Sequence, residues 1–205
     1  ENKDPAMLSL LLKNGADQEL LDNSNSTALK RAWQNGAWPC VIALCQRPSL
    51  DKDDYNTALL FAARANKYHA VKALLESGAE PNAKHSTEGY YALHWAVIHN
   101  NPELFALLIG ADAKLDVYDK NHQTPVHLAF KFNLINIAYW FKALNVDENI
   151  KDNSASLETA AAAGKRWHKD ECLTAIGPKL SQLPLGSLKV LLGNYYPIQP
   201  FVFLI

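Results

Sequence analysis

The 205-residue chain carries 20 basic and 21 acidic residues, a formal net charge of −1, and is 48% hydrophobic. With the charge balanced and no dense Lys/Arg stripe there is no electrostatic case for nucleic-acid binding, and no apolar run reaches membrane-spanning length. Three cysteines, Cys40, Cys45 and Cys172, with no recognisable signal peptide point to a reducing, intracellular setting, the cytoplasm first, rather than to a disulfide framework.

From the N-terminus, residues 5–13 read as a helix that ends at "LLKNGAD" (11–17), with Asn2 in the turn before it. It reads as the second helix of a pair whose first helix is missing, so the chain is expected to be a fragment or to begin on further upstream sequence. "TALKRA" (27–32) then opens a frame that returns as "TALLFA" (57–62), "YALHWA" (91–96), "TPVHLA" (124–129) and "ASLETA" (155–160). The frame starts, Thr27, Thr57, Tyr91, Thr124 and Ala155, are separated by 30, 34, 33 and 31 residues. Nine residues after each start stands Gly36, Asn66, Asn100, Asn133 or Gly164. Gly and Asn are the residues that most readily take a left-handed backbone. Two series held at one offset imply one supersecondary unit stacked along an axis.

Residues 54–84 show what the unit contains. Thr57 is expected to cap a first helix with its hydroxyl, and Leu59, Ala62 and Ala63 give it a short apolar stripe. The fourth frame places Pro125 at the first helical position, where a missing N–H costs nothing. Asn66 turns the chain, Val71, Leu74 and Leu75 form a second helical stripe, and Gly78 ends it as a left-handed cap. "AEPNAK" follows as an extended finger. The unit is therefore helix, turn, helix, finger.

Beyond about residue 165 the pattern stops. Leu185, Leu188, Leu191 and Leu192 line one face of a helix expected after Pro184, and Pro197 and Pro200 forbid its continuation. This tail is expected to dock as a cap, because exposing all its apolar side chains leaves a patch larger than soluble monomers tolerate.

"TPVHLA" matches the T-P-L-H-x-A signature of ankyrin repeats, and "LLESGAEPNAK" resembles their second helix and finger; "LLKNGAD" and "IGADAKLD" (109–116) repeat it. On these residues the chain is identified as a member of the ankyrin-repeat family over about residues 4–165. The resemblance implies an all-α solenoid of stacked helix–turn–helix units with finger turns and a helical C-terminal cap. Its domains are 1–165, a leading half-repeat and about five units, and 166–205, a capping or adaptor segment. The sequence departs from the pattern at "QRPSLDK" (46–52), which lacks the Gly-Ala entry to a finger, and at Leu144 and Asn145, which stand where Gly-Ala belongs.

The residues that carry reactive chemistry read as structural. His94 and His127 occupy the signature histidine, which in the family joins a hydrogen-bond network tying neighbouring units. His99 follows His94 by five residues, not the four that aligns helical ligands, so the pair does not make a zinc site. His168 and Cys172 are four apart on a helix, but nothing orients the imidazole as a base. Cys40 and Cys45 are expected in the core of a second helix, and Trp33, Trp95 and Trp140 are also assigned to the core. No catalytic set, metal or cofactor is expected.

The resemblance further implies binding on the concave face, made of finger tips and the outer ends of the first helices. The matching positions are Tyr55, Asn56, Arg64, Glu88, Tyr90, Ile98, His99, Asn121, His122, Lys131 and Phe132. The set is rich in aromatic residues and mixed in charge, and Tyr and Arg are over-represented among interface hot spots. The implied function is a non-catalytic module that binds a protein partner, as a monomer and as part of a larger protein. Two alternatives stand beside it. Cys172, Ile176 and Leu183-Pro184-Leu185 loosely resemble the end of a SOCS box, and "QLPLGSLKVLL" the opening of an F-box, which implies an adaptor that recruits ubiquitin-ligase components; His168 and Gly186 depart from that pattern. The other is the targeting arm of an enzyme whose catalytic domain lies outside this chain.

Overall fold

The computed structural model describes residues 4–46, 52–134, 137–138, 140–141 and 144. The helices are α1 (Pro5–Lys13), α2 (Ala28–Gln34), α3 (Trp38–Leu44), α4 (Lys52–Arg64), α5 (Tyr68–Glu76), α6 (Ala92–Ile98), α7 (Pro102–Gly110) and α8 (Pro125–Lys131). Among the described residues the extended structure amounts to one isolated antiparallel bridge, Lys84 to Tyr91. The architecture is an all-α solenoid of two layers. Helices α2, α4, α6 and α8 follow one another in a first layer, and α1, α3, α5 and α7 in a second. Within a unit α2 pairs with α3, α4 with α5, and α6 with α7.

The repeated phrase builds the core. Its third residue is Leu29, Leu59, Leu93 or Val126 and its sixth is Ala32, Ala62, Ala96 or Ala129, and all eight are buried. The alanines let first-layer helices approach closely. In the second layer Val41, Val71, Phe105 and Ala138 form one buried column, and Leu44, Leu74, Leu108 and Phe141 another. Each unit thus buries its apolar faces against its neighbours.

The turn between the layers is where the sequence places it. Gly36, Asn66, Asn100 and Asn133 have φ of 63°, 55°, 48° and 53°. In each case the next residue's N–H returns to a carbonyl five residues back, Ala37 to Ala32, Lys67 to Ala62, Asn101 to Ala96 and Leu134 to Ala129. That 6→1 bond closes the helix end and turns the chain into the second layer.

Two local expectations are corrected. The first concerns Thr57, which does not cap a helix, because α4 begins at Lys52 and Thr57 lies inside it. The five residues before Thr27, Tyr91 and Thr124 belong to a finger. Instead Lys52–Asn56 add a helical turn at the front, with Asp53 and Asp54 favourably placed at the positive end of the helix dipole. The second concerns "IGADAK", where Gly110 is the last helical residue and Asp112 takes the left-handed position at φ 62°. Counting runs from the leucine: the Ala113 N–H bonds the Leu108 carbonyl as the Ala79 N–H bonds that of Leu74, so Asp112 fills the place of Gly78. Asp tolerates that backbone.

Thr27, Tyr91 and Thr124 stand at the N-cap positions of α2, α6 and α8, as expected. The frame at Ala155, its landmark Gly164, His168, Cys172 and the whole 166–205 segment with its SOCS-box-like and F-box-like residues lie outside the described residues.

Candidate functional site

The fingers are shaped by their own side chains. In the first, Asp22 Oδ1 accepts from the Ser24 and Ser26 N–H groups, and Asn25 turns with φ 54°. In the third, Asp119 Oδ1 accepts from the Asn121 and Gln123 N–H groups, both at 2.8 Å, and His122 turns with φ 59°. The second finger replaces Asp with His85, whose Nδ1 accepts from the Glu88 N–H at 3.2 Å. Gly89 makes its turn with φ 72° and lies so close to the third finger that a Cβ there meets the Lys120 nitrogen at 2.7 Å.

Ties between units fix the fingers over the helices. His94 is buried; its Nδ1 accepts the Tyr91 N–H at 3.2 Å, so Nε2 carries the proton and donates to the Gln123 carbonyl of the next finger at 3.1 Å. Burial pushes the His94 pKa down to about 4, so the ring is neutral near pH 7. His127 is likewise buried, and its Nδ1 accepts from the Thr124 N–H and hydroxyl. Asn82 donates to the Asp112 carbonyl and accepts from the Lys114 N–H, and the Asn101 amide donates to Asn66 Oδ1.

On this scaffold the structure gathers four of the eleven candidate residues around Trp95. The Arg64 guanidinium lies over the indole, 5.4 Å from its centroid, and pairs with Glu88 Oε1 at 3.2 Å. Tyr90 meets Trp95 edge-on at 5.1 Å, and His99 stacks on it at 6.1 Å. His99 Nε2 also donates to the Arg64 carbonyl at 2.7 Å. Burial first, then the Asp119 and Glu88 carboxylates, raise the Tyr90 pKa above its ordinary value, which keeps the phenol neutral. The cluster spans two neighbouring units, and its charged side chain is held in place before any partner arrives.

The other candidates are placed differently. Tyr55 is 2% exposed and belongs to the core, because the early start of α4 makes it helical where the fingers have Asn25, Gly89 or His122. Asn56 accepts from the Glu80 N–H at 2.7 Å and serves as a tie between units. Ile98 is partly buried against the core. Asn121 and His122 are exposed, and the His122 ring sits 4.1 Å from Tyr118. Lys131 lies over the ring of Phe132 at 5.9 Å, and Phe132 is 48% exposed. Sequence reasoning missed Trp95 as a surface residue by assigning it to the core, although its place four residues before His99 on one helix puts the two on the same face. Trp33 and Trp140 are also partly buried against the core rather than enclosed by it.

The arrangement offers little to reaction chemistry. Cys40 and Cys45 are buried, and burial raises both thiols, Cys45 to about 11, so neither is a thiolate near pH 7. Among the described residues no three His, Cys, Asp or Glu side chains come together as a metal site. The crevice among Gln18, Thr27, Leu44, Asp54 and Tyr55 encloses about 10 Å³, room for a water and not for an organic ligand. No helix of the described residues is long and apolar enough to cross a membrane.

A family model of ankyrin repeats in three copies matches residues 1–85 and 83–152. Among curated proteins, a putative ankyrin repeat protein of fowlpox virus is 30% identical over 129 residues, covering 62% of this chain and 15% of that protein. The chicken (Gallus gallus) nuclear factor NF-kappa-B p105 subunit is 28% identical over 149 residues, covering 69% of this chain and 15% of its own length. Neurogenic locus notch homolog protein 1 of Xenopus tropicalis is 32% identical over 123 residues, covering 58% of this chain and 5% of its own. The chain thus spans only a small part of these relatives. The crystal structure of the ankyrin repeat domain of Bcl-3 superposes with a TM-score of 0.64 at 24% identity, covering 78% of this chain and 72% of that one, and shares the fold.

Proposed function

The chain belongs to the ankyrin-repeat family, and we propose that it is a non-catalytic protein-interaction module whose partner docks on the face formed by the finger tips and the ends of the first-layer helices. The observation that carries this reading is the Trp95 cluster. Arg64, Tyr90 and His99 meet one indole across two units, Glu88 pairs with Arg64, and Arg64 remains half exposed. Aromatic and Arg side chains held rigid before binding are the groups that dominate interface energies. Asn121, His122, Lys131 and Phe132 extend the same face toward the next unit.

A photo-activated cross-linking residue placed at exposed Asn121 tests the face. It should trap the same partner that binds the unmodified chain, whereas the same group at Lys72, on a second-layer helix, should trap none. Capture from Lys72 alone overturns the assignment of the face.

A further inference from the structure

A second group of rings adjoins the Trp95 cluster. Trp33, near the end of α2, stacks on Phe61 of α4 with centroids 4.3 Å apart, and His85 of the second finger meets Phe61 edge-on at 5.7 Å. All three side chains are partly exposed. The two groups are joined at two places. The His85 N–H bonds the Tyr90 carbonyl at 2.8 Å, and Arg64, one helical turn after Phe61, lies over Trp95. The rings therefore form one strip across α2, α4 and α6, from Trp33 through Phe61 and His85 to Tyr90, Trp95 and His99.

We propose that this strip seats an extended, proline-bearing segment of the partner, flanked by acidic residues and lying along the stack axis in the polyproline II conformation. The inference rests on the interaction-module reading and names the chemistry of its partner. Phe61 and Trp95 are both the fifth residue of the repeated phrase, so their rings are set one packed helix apart, about 8–10 Å. A polyproline II helix returns to the same face every three residues, about 9 Å, whereas a β-strand returns every ~7 Å and falls out of step. Aromatic-lined grooves are the surfaces that such segments dock in. The backbone carbonyls of a polyproline II helix make no internal hydrogen bonds, and His85 offers them a donor. Its Nδ1 accepts the Glu88 N–H, so Nε2 carries the ring proton, with no acceptor for it among the described residues. Charge sets the flanks. From the start of the phrase to the end of the helix, α2, α4, α6 and α8 carry Lys30, Arg31, Arg64 and Lys131 and no carboxylate. Asp22 and Glu88 on the fingers hold Arg31 and Arg64 in place and leave about half of each side chain exposed. Single-stranded nucleic acid also stacks on aromatic side chains, but it needs a positive groove along its backbone, and two of these four basic groups are already ion-paired.

Panning a phage-displayed library of random dodecapeptides on the full chain tests the occupant. The recovered peptides should share prolines three residues apart with Asp or Glu beside them. A synthetic copy of the most frequent one should bind the full chain, and moving its prolines to a two-residue spacing should abolish binding. Trp33→Ala and Phe61→Ala should each weaken its Kd about tenfold, with the circular-dichroism signal unchanged. Phe61→Leu keeps an apolar contact with α2 but removes the flat ring; it should weaken binding likewise and replaces Phe61→Ala if alanine unfolds the chain. The proposal is overturned if panning recovers no binder, if the peptides lack the proline spacing, or if their binding is indifferent to Trp33 and Phe61. Binders lost in Tyr90→Ala but indifferent to Phe61 would leave the interaction face standing and remove this occupant. Binding of oligouridylate that Phe61→Leu abolishes would assign the strip to nucleic acid instead.

Discussion

His94 and Gln123 are joined across two units: the imidazole Nε2 donates to the Gln123 carbonyl at 3.1 Å, 29 residues further along the chain. The bond requires a neutral ring whose Nδ1 is free to accept the Tyr91 N–H. The same side chain therefore holds the start of α6 and the base of the following finger.

Acid should loosen this joint. The His94 pKa is held at about 4 in the fold, below its ordinary 6.5. Between those values the unfolded chain binds the extra proton, so stability is complete above about pH 6.5 and declines as pH falls toward 4. Two and a half pKa units correspond to on the order of 3 kcal/mol. Thermal unfolding from pH 7 to pH 4 should show the decline. In His94→Asn the curve should start lower at pH 7 and be flatter, and an equally steep curve there would assign the acid sensitivity to other groups.

Gly89→Ala should cost about 1–3 kcal/mol, because the left-handed backbone is strained for alanine and the added methyl meets the third finger's backbone. Gly78→Ala is the informative comparison: φ is 96° there, but the space beside it is open. Urea unfolding should rank Gly89→Ala as the more destabilising. The reverse order would mean that the close approach of the two fingers is not maintained in solution.

Tyr55→Ala should act on stability and not on recognition. The side chain is enclosed in the core, and truncating a buried aromatic residue costs about 3–5 kcal/mol. A variant that melts like the wild type while losing its partner would return Tyr55 to the surface.

What the sequence made legible is the part governed by local chemistry repeated at a fixed interval. The Leu and Ala columns follow from the phrase itself, and the left-handed turns from Gly36, Asn66, Asn100 and Asn133. The resemblance assigned His94 and His127 to a hydrogen-bond network; His94 ties its unit to the next through the Gln123 carbonyl, and His127 holds the start of α8 through Thr124. The misreadings fall where the interval changes. Before Thr57, after a 30-residue step, Lys52–Asn56 add a helical turn, and that turn carries Tyr55 inward. At "IGADAK" the Gly-Ala pair sits two residues before the place that Gly78 fills, and the hydrogen bonds, counted from Leu108, put Asp112 there. Trp95 was hidden for a different reason: an indole can pack its edge on the core and still offer a face to Arg64 and His99, which no pattern in one dimension distinguishes from full burial.

The most direct test of the interaction-module reading compares the two sides of the solenoid by affinity. With a partner in hand, its Kd is measured by calorimetry for Tyr90→Ala and Arg64→Ala, and for Lys72→Ala and Glu76→Ala, an ion-paired couple on α5. Circular dichroism checks that the helices are intact in all four. Each substitution beside Trp95 should weaken binding by about 2 kcal/mol, roughly thirtyfold, and the α5 pair should leave it within about twofold. Loss of binding through Lys72 and Glu76, with Tyr90 and Arg64 indifferent, would contradict the account.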